Sequence, residues 1–412
     1  KNILREVIKM STEVIYIPVI LAAIVGLIAL NGLSYYSHKS KSIPEVAWVL
    51  LFGILYGLTA DKTSIGLPAL TLSPDLILFI FVPLLIFGST QTMCLHHFRK
   101  VLAPASLAAT VGITISMFVT ALVLMLLTDA SLLESLIFGV VVAATDPLAI
   151  GAILEGNIKL SENMKLLIEG ESILNDGFVV TVFGILSLVL FENHIFNIVN
   201  EIGVFIFHVA GAIILGVILG RVARLILKIW NAMQFTLVAN ITIALAFGSF
   251  LLAEHFGMSG VLAVFAAALS FGYKTETLSK EFHLQEYIWK YGQYVANSIL
   301  FFLLGASVIS QGSLGKIGFA QVLVVLITLL FSRILALVVL KPLIKVDGGI
   351  ISWLKLLVLN FAGARGAVSI ALILLLPNSF ALKDEFLNMT FLLVLGSLLL
   401  FPPITSKLMK KL

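Results

Sequence analysis

The sequence predicts an all-α polytopic membrane protein with about thirteen transmembrane helices. Hydrophobic residues make up 60% of the 412 residues, charged residues only 12%, and the mean hydropathy is +1.12. Soluble domains contain about 45–50% apolar and about 25% charged residues. The apolar residues here come in stretches of roughly 20, which as helices cross a hydrocarbon core of ~30 Å. We therefore expect residues 1–412 to form a single membrane domain.

Short polar segments separate the predicted spans and define their approximate ends. In chain order the spans cover residues 13–36, 44–59, 73–92, 101–128, 132–154, 164–190, 202–227, 235–255, 258–273, 289–310, 317–344, 351–377 and 386–408. The segment between the ninth and tenth spans, residues 274–286, mixes Lys, Glu and His with Phe and Leu. That mixture predicts an interfacial linker helix.

Most of the 26 Lys and Arg residues lie in loops on one side of the predicted bundle. The positive-inside rule makes this side cytoplasmic, so an odd number of spans places the N-terminus outside and the C-terminus inside. The net charge of +4 then reflects membrane topology, and no nucleic-acid partner is expected. The single cysteine, Cys94, excludes a disulfide framework and a cysteine metal cluster.

The chain contains a faint internal repeat. Residues 82–89 in the third span resemble residues 299–307 in the tenth, and helix-breaking sequences occupy equivalent places in the fifth and twelfth spans. The offset of seven spans is odd, so the second copy is inverted in the membrane. The first repeat then covers residues 13–190, the second covers 235–408, and the span 202–227 links them. Inverted repeats with a discontinuous helix in each half are typical of secondary transporters.

The break in the fifth span lies at Thr145-Asp146-Pro147. Proline lacks an N–H and disfavours helical geometry in the residue before it, so the helix is expected to open at Asp146. Asp146 is also well placed to cap a new half-helix that begins at Pro147. Unwound backbone at membrane depth is tolerated where it lines a water-filled site. Both roles are compatible: Asp146 caps a helix end while Thr145 offers oxygen atoms to an ion.

The sixth span carries Asp176 near its middle, where a charged side chain costs at least ~2.5–3.5 kcal/mol. Ser172 lies four residues earlier on the same helix face. A carboxylate in a partly dry site can hold either a proton or a small hard cation, whose preferred ligands are oxygen atoms. We therefore expect Asp176, Ser172, Thr145 and Asp146 to form the cation site. Asn175 is expected to bond to the opened fifth span.

Three further charged residues lie inside predicted spans. Glu171 lies beside the Ser172–Asp176 face and needs a cationic partner, and Arg333 in the eleventh span is the best candidate. Arg365 lies within Gly363-Ala364-Arg365-Gly366 of the twelfth span. If that span unwinds, Arg365 is expected to balance the negative C-terminal end of a half-helix.

These residues stand in segments that resemble the monovalent cation:proton antiporter superfamily, in its sodium/proton exchanger branch with an Asn-Asp pair. The long segment from Glu169 to Gly177 is the specific one. The other matching segments are residues 144–147, 260–264, 302–305 and 363–369, and all occur in the family order.

The resemblance implies a homodimer in a bacterial or archaeal cell membrane, with a core that moves like an elevator. It implies electroneutral exchange of one Na⁺ or Li⁺ for one proton through Asp176, without an enzyme activity or a cofactor. It assigns Asn175 and Asp146 to the helix crossing and pairs Glu171 with Arg333. One position departs from the family pattern: relatives often carry an acid where Gly88 follows Phe87.

Other functions remain open from the sequence. A potassium/proton antiporter on the same scaffold is the main alternative, because selectivity depends on fine details of cavity size. An intramembrane aspartyl protease could use Asp146 and Asp176 as a dyad. Neither acid stands in the Tyr-Asp or Gly-x-Gly-Asp context typical of such enzymes, which argues against that alternative. A passive channel is a further distant alternative.

Overall fold

The computed structural model describes residues 32, 45–62, 70, 72–91, 93–146, 151, 160–192, 197–230, 234–272, 280–310 and 319–412. These residues are almost entirely helical. The helices are α1 (Glu45–Lys62), α2 (Pro74–Thr90), α3 (Leu95–Leu127), α4 (Leu132–Ala143), α5 (Glu162–Phe191), α6 (Ile198–Ile229), α7 (Phe235–His255), α8 (Gly260–Gly272), α9 (Lys280–Ser310), α10 (Phe319–Leu340), α11 (Trp353–Ala362), α12 (Ala367–Leu375) and α13 (Lys383–Met409). Two short strands, β1 (Lys345–Val346) and β2 (Gly349–Ile350), form an antiparallel hairpin.

The helices confirm the predicted fold class and lie at the predicted second to thirteenth spans; the first span lies outside the described residues. Within the described residues, six helices are long and apolar enough to cross a membrane, and α11 with α12 make a seventh if counted as one bent span. The shorter apolar helices are α1, α2, α4 and α8. Both α2 and α3 contain a π-helical segment, a local widening frequent at functional sites.

The start of the tenth span differs from the prediction. The tenth span was expected to start at residue 289, after a separate linker helix over 274–286. Instead α9 runs without interruption from Lys280 to Ser310, so the described part of the linker forms about the first two turns of that helix. A helix needs no apolar residues in the turns that leave the membrane, and so its polar start is hidden from a hydropathy pattern.

The hairpin between α10 and α11 was not predicted. Asp347 and Gly348 both adopt positive φ angles, 58° and 81°, as a two-residue turn of type I′ requires. The Asp347 carboxylate accepts hydrogen bonds from Ser161 (2.8 Å), Asn163 (2.9 Å) and Lys355 (2.8 Å). The hairpin therefore joins the start of α5 to the start of α11.

The helices pack into two groups. In one, α3 contacts α4, α5 and α10, and α13 contacts α11 and α12. In the other, α9 packs along α1 and α2, and α8 packs against α6 and α7. Contacts of α5 with α8, and of α12 with α2, join the groups. The candidate site lies where α2 of the second group meets α4, α5 and α12 of the first.

Candidate functional site

Two broken helices meet in the interior of the first group. A capping box of Ser131 and Glu134 starts α4, which ends at Ala143, and the next three residues are not helical. In the twelfth span α11 ends at Ala362, and the chain resumes as α12 at Ala367 after a bend of 48°. The breaks touch directly, because the backbone N–H of Asp146 donates to the Ala364 carbonyl at 2.7 Å. The fold thus places the two predicted breaks side by side.

Hydrogen bonds from α5 hold the first break open. The Asn175 amide donates to the Thr145 hydroxyl at 2.5 Å, and the Asn175 carbonyl oxygen accepts from the Thr145 backbone N–H at 3.4 Å. The Ser172 hydroxyl donates to the Thr145 carbonyl. All three residues are buried. Backbone groups that lost their helical partners at the break therefore find new partners on α5.

Asp146 faces the second broken helix. A Cβ atom added at Gly366 would lie only 2.3 Å from Oδ2 of Asp146, so the carboxylate packs against the residue that caps α12. Negative charge is stabilising at a helix N-terminus. The sequence predicted that Asp146 caps the half-helix after Pro147, which lies outside the described residues. The resemblance placed Asp146 at the helix crossing without naming α12 as the element it contacts.

Asp176 opens onto a cavity of about 50 Å³ at this crossing. The polar residues that line the cavity are Ser89, Thr145, Asp146, Asp176 and Ser369. No hydrogen bond or ion pair joins the Asp176 carboxylate to another residue in the described part of the chain. Three of the four residues expected to bind the cation therefore share one cavity. Ser172 is the fourth; it lies behind Thr145, and its place in the ligand set stays a prediction.

Glu171 lies five residues before Asp176 and has a different environment. Its two carboxylate oxygens accept hydrogen bonds from the two terminal nitrogens of Arg333 at 3.0 and 2.9 Å. Glu171 is 2% exposed and Arg333 is 5% exposed. The Arg333 guanidinium also donates to the Leu359 carbonyl at 3.3 Å, near the C-terminal end of α11. The contact expected between Glu171 and Arg333 is thus present, in the bidentate form that arginine favours.

Arg365 lies just beyond the same end of α11. Its guanidinium donates to the Gly363 carbonyl at 3.0 Å, and its backbone N–H donates to the Ser397 hydroxyl at 2.9 Å. Positive charge is stabilising beside the C-terminal carbonyls of a helix. This geometry is compatible with the predicted balancing role of Arg365.

Sequence reasoning missed two serines that support the crossing. The Ser369 hydroxyl donates to the Val141 carbonyl at 2.8 Å, and so satisfies a carbonyl at the end of α4. Ser397 of α13 holds the backbone of Arg365. Ser369 ends the glycine-rich segment 363–369, which was a usable signal. Ser397 lies in an ordinary apolar span and gave none.

Comparison with known proteins identifies the family. The model of the transmembrane sodium/hydrogen exchanger family matches residues 19–411. The chain is 29% identical over 376 residues to the Na(+)/H(+) antiporter ApNhaP of Aphanothece halophytica, covering 89% of this chain and 70% of that one. It is 26% identical over 379 residues to the Na(+)/H(+) antiporter NhaH of Halobacillus aidingensis, covering 90% and 92%.

A solved structure has the same fold. The structure of the sodium proton antiporter MjNhaP1 from Methanocaldococcus jannaschii at pH 8 matches with a TM-score of 0.69 at 17% sequence identity. The match covers 93% of this chain and 94% of that one. The broken-helix crossing, the acids that line its cavity and the family match over nearly the whole sequence lead to one conclusion: the chain belongs to the transmembrane sodium/hydrogen exchanger family.

Proposed function

We propose that the protein exchanges Na⁺ or Li⁺ for H⁺ across the membrane through competition of cation and proton at Asp176. The observation that carries this proposal is the cavity at the helix crossing, which brings Asp176 together with Asp146 and Thr145. Asp176 has no fixed cationic partner among the described residues, so a mobile cation or a proton can supply its neutralising charge. Relatives of this family are named as Na(+)/H(+) antiporters, which supports the same exchange here.

Competition at one carboxylate accounts for antiport without further machinery. A deprotonated Asp176 attracts a cation into the cavity, and a protonated Asp176 does not. Only a neutralised carboxylate crosses the apolar barrier at low cost, because an unpaired charge in a dry interior is expensive. Each cycle therefore carries one cation in one direction and one proton in the other. The exchange is electroneutral if Asp176 alone changes its occupant.

The surrounding groups have supporting roles. The Thr145 oxygens and the Asp146 carboxylate border the cavity and are the proposed additional oxygen ligands. Asn175 and Ser172 fix Thr145 at the break. Glu171 with Arg333, and Arg365 at the end of α11, are proposed to hold the crossing together. The protein acts as a transporter and not as an enzyme, as its family membership implies, and so the protease alternative is set aside.

The test is proton flux in proteoliposomes that contain a pH-sensitive dye. Adding Na⁺ or Li⁺ to the unmodified protein should dissipate an imposed pH gradient, and Asp176→Asn should abolish the response, because an amide cannot take up a proton. Glu192→Gln is a matched control, since Glu192 is an exposed acid at the end of the same helix. Exchange that survives in Asp176→Asn would disprove the proposal.

Potassium/proton exchange stays the alternative substrate assignment. The same assay with K⁺ in place of Na⁺ separates the two, because selectivity depends on cavity size and ligand strength. A response to K⁺ that exceeds the response to Na⁺ would favour the alternative. A membrane-potential dye in the same vesicles tests the electroneutral stoichiometry and distinguishes exchange from a passive channel.

We further propose a cell-membrane homodimer, with the C-terminus in the cytoplasm and the N-terminus outside. The positive-inside pattern of the loops supports this orientation. The two breaks at one crossing also support a pair of inverted repeats, residues 13–190 and 235–408. A cysteine introduced at the C-terminus of the protein tests the orientation, through its accessibility to a reagent added outside intact cells. Crosslinking in the membrane tests the dimer.

A further inference from the structure

The cavity that Asp176 faces has a second wall, which α2 and α9 contribute. Leu85, Ile86 and Ser89 of α2 and Leu300 of α9 line it. None of these side chains carries a charge. The titratable residues that line the cavity, Asp146 and Asp176, both lie on the side of the broken helices.

A glutamine of α9 fills the space beside this wall. A Cβ atom added at Gly88 would lie 2.4 Å from Cγ, 2.5 Å from Cδ and 2.9 Å from Oε1 of Gln293. Heavy atoms that are not bonded to each other do not approach this closely, so a side chain at position 88 and the present conformation of Gln293 exclude one another. Gln293 therefore occupies the volume that a residue with a side chain would take at position 88.

Gln293 is also bonded to the wall itself. Its Nε2 donates to the Leu85 carbonyl at 2.7 Å, and the Ser89 hydroxyl donates to the same carbonyl at 3.0 Å. Leu85 and Ser89 both line the cavity. The amide of Gln293 thus fixes the position of the wall segment from the neighbouring helix, and Gly88 makes this approach possible.

We propose that Gln293 is a positioning residue that sets the affinity of the cavity for the transported monovalent cation. It holds the segment from Leu85 to Ser89 in place and keeps this wall free of charge. The inference deepens the proposed exchange at Asp176 and depends on it. It assigns a transport role to a residue in the second helix group, away from the broken helices.

Two substitutions of Gln293 test the role. Gln293→Ala removes the bond to Leu85, and we expect the apparent KM for Na⁺ to rise roughly threefold to tenfold, the range for one hydrogen bond, with little change in the maximal rate. Gln293→Glu keeps the size of the side chain but also removes the bond, because a carboxylate accepts hydrogen bonds and cannot donate to the Leu85 carbonyl. We expect a raised apparent KM, as in Gln293→Ala. The added negative charge should also move the pH of half-maximal exchange to a more alkaline value, because it favours the proton at Asp176.

A third substitution, on α2, disturbs the same contact between Gly88 and the Gln293 side chain. Gly88→Ala displaces Gln293 and should raise the apparent KM as Gln293→Ala does, whereas Gly88→Ala combined with Gln293→Ala should be no worse than Gln293→Ala alone. Tyr294→Phe is the matched control on α9. The Tyr294 hydroxyl donates to Glu45 at 2.6 Å, away from the cavity lining, so KM should stay unchanged.

The outcomes separate this inference from the proposed function. Wild-type KM values and pH profiles in both Gln293 variants, or a wild-type KM in Gly88→Ala, would overturn the role of Gln293 while leaving exchange at Asp176 intact. If neither the unmodified protein nor Tyr294→Phe shows cation-driven proton flux, the proposed function is overturned, and this inference with it.

Discussion

Glu171 and Asp176 lie five residues apart on α5, yet the fold treats the two carboxylates in opposite ways. Glu171 is bound on both oxygens by Arg333 and is shut away from solvent. Asp176 has no hydrogen-bond or ion-pair partner within the described residues and opens onto the cavity. Both are acids inside a membrane span, so residue type alone does not separate them.

The difference between these two acids shows what distinguishes a structural carboxylate from a transporting one. A buried ion pair has its charge neutralised permanently, and so it has nothing to exchange. A carboxylate without a protein partner must take its neutralising charge from a proton or an ion in the cavity. The position of Arg333 on α10, in direct contact with Glu171, therefore decides the role of each acid.

The largest expected effect on stability contrasts the two acids directly. Glu171→Gln leaves the Arg333 guanidinium buried without its counter-charge, and we expect a loss of about 3–5 kcal/mol in the free energy of unfolding. Asp176→Asn removes a charge that has no fixed partner, so it should leave this free energy unchanged or raise it. Thermal unfolding in detergent measures both. Equal losses in the two variants would contradict the distinction.

An intermediate effect is expected at the break after α4, which Ser172 and Asn175 of α5 hold open. Asn175→Ala removes the two hydrogen bonds to Thr145, and we expect a loss of about 1–3 kcal/mol together with weaker cation binding. Ser172→Ala removes only the bond to the Thr145 carbonyl and should cost about 1 kcal/mol. Unfolding and sodium-dependent flux of the two variants provide the comparison. A larger loss of unfolding free energy in Ser172→Ala than in Asn175→Ala would contradict the larger structural role assigned to Asn175.

The smallest effect is expected at the surface, where a third acid also has partners. Partial burial acts to raise the pKa of Asp347, but the bonds from Lys355, Ser161 and Asn163 outweigh it, so the pKa lies below its usual value. A lowered folded-state pKa stabilises the fold above the unfolded-state pKa, and this contribution disappears as the pH falls through the folded-state value. Asp347→Asn should therefore lower the unfolding temperature slightly at neutral pH and leave it unchanged in strong acid.

A pH series of unfolding temperatures checks the sign of this effect. Lys345→Gln serves as the matched control, because Lys345 is an exposed residue of the same hairpin. A difference between Asp347→Asn and the unmodified protein that grows toward acid pH would contradict the assignment.

The sequence predicted the helix breaks of the candidate site better than the contacts between its residues. Asp-Pro at residues 146–147 and the glycines around Arg365 break helices for local reasons, and so both breaks were foreseen. The pair of Glu171 and Arg333 was foreseen because few cations lie within spans. The resemblance placed Asp146 at the helix crossing, but no local signal named Gly366 as its neighbour, because the packing of the two breaks selects that contact.

The contacts of Gln293 and Ser397 could not be predicted from the sequence either, and the polar start of α9 was hidden from the hydropathy pattern. A glutamine or serine in an apolar helix gives no sign of which neighbour it will meet, since helix packing selects that neighbour. The Asp347-Gly348 turn had a local signal, an Asp-Gly pair that favours a type I′ hairpin, in the loop predicted between residues 344 and 351, and this signal was not used.

By itself, the sequence determined that the chain is a helical membrane protein, where its helices break and which acids lie at membrane depth. These properties follow from hydropathy and local backbone chemistry, which act over a few neighbouring residues. Only the tertiary structure decided that the two breaks touch, that the expected pairing of Arg333 with Glu171 is made through both carboxylate oxygens, and that Asp176 faces a cavity. Charge neutralisation depends on distance in space, and the fold alone sets that distance.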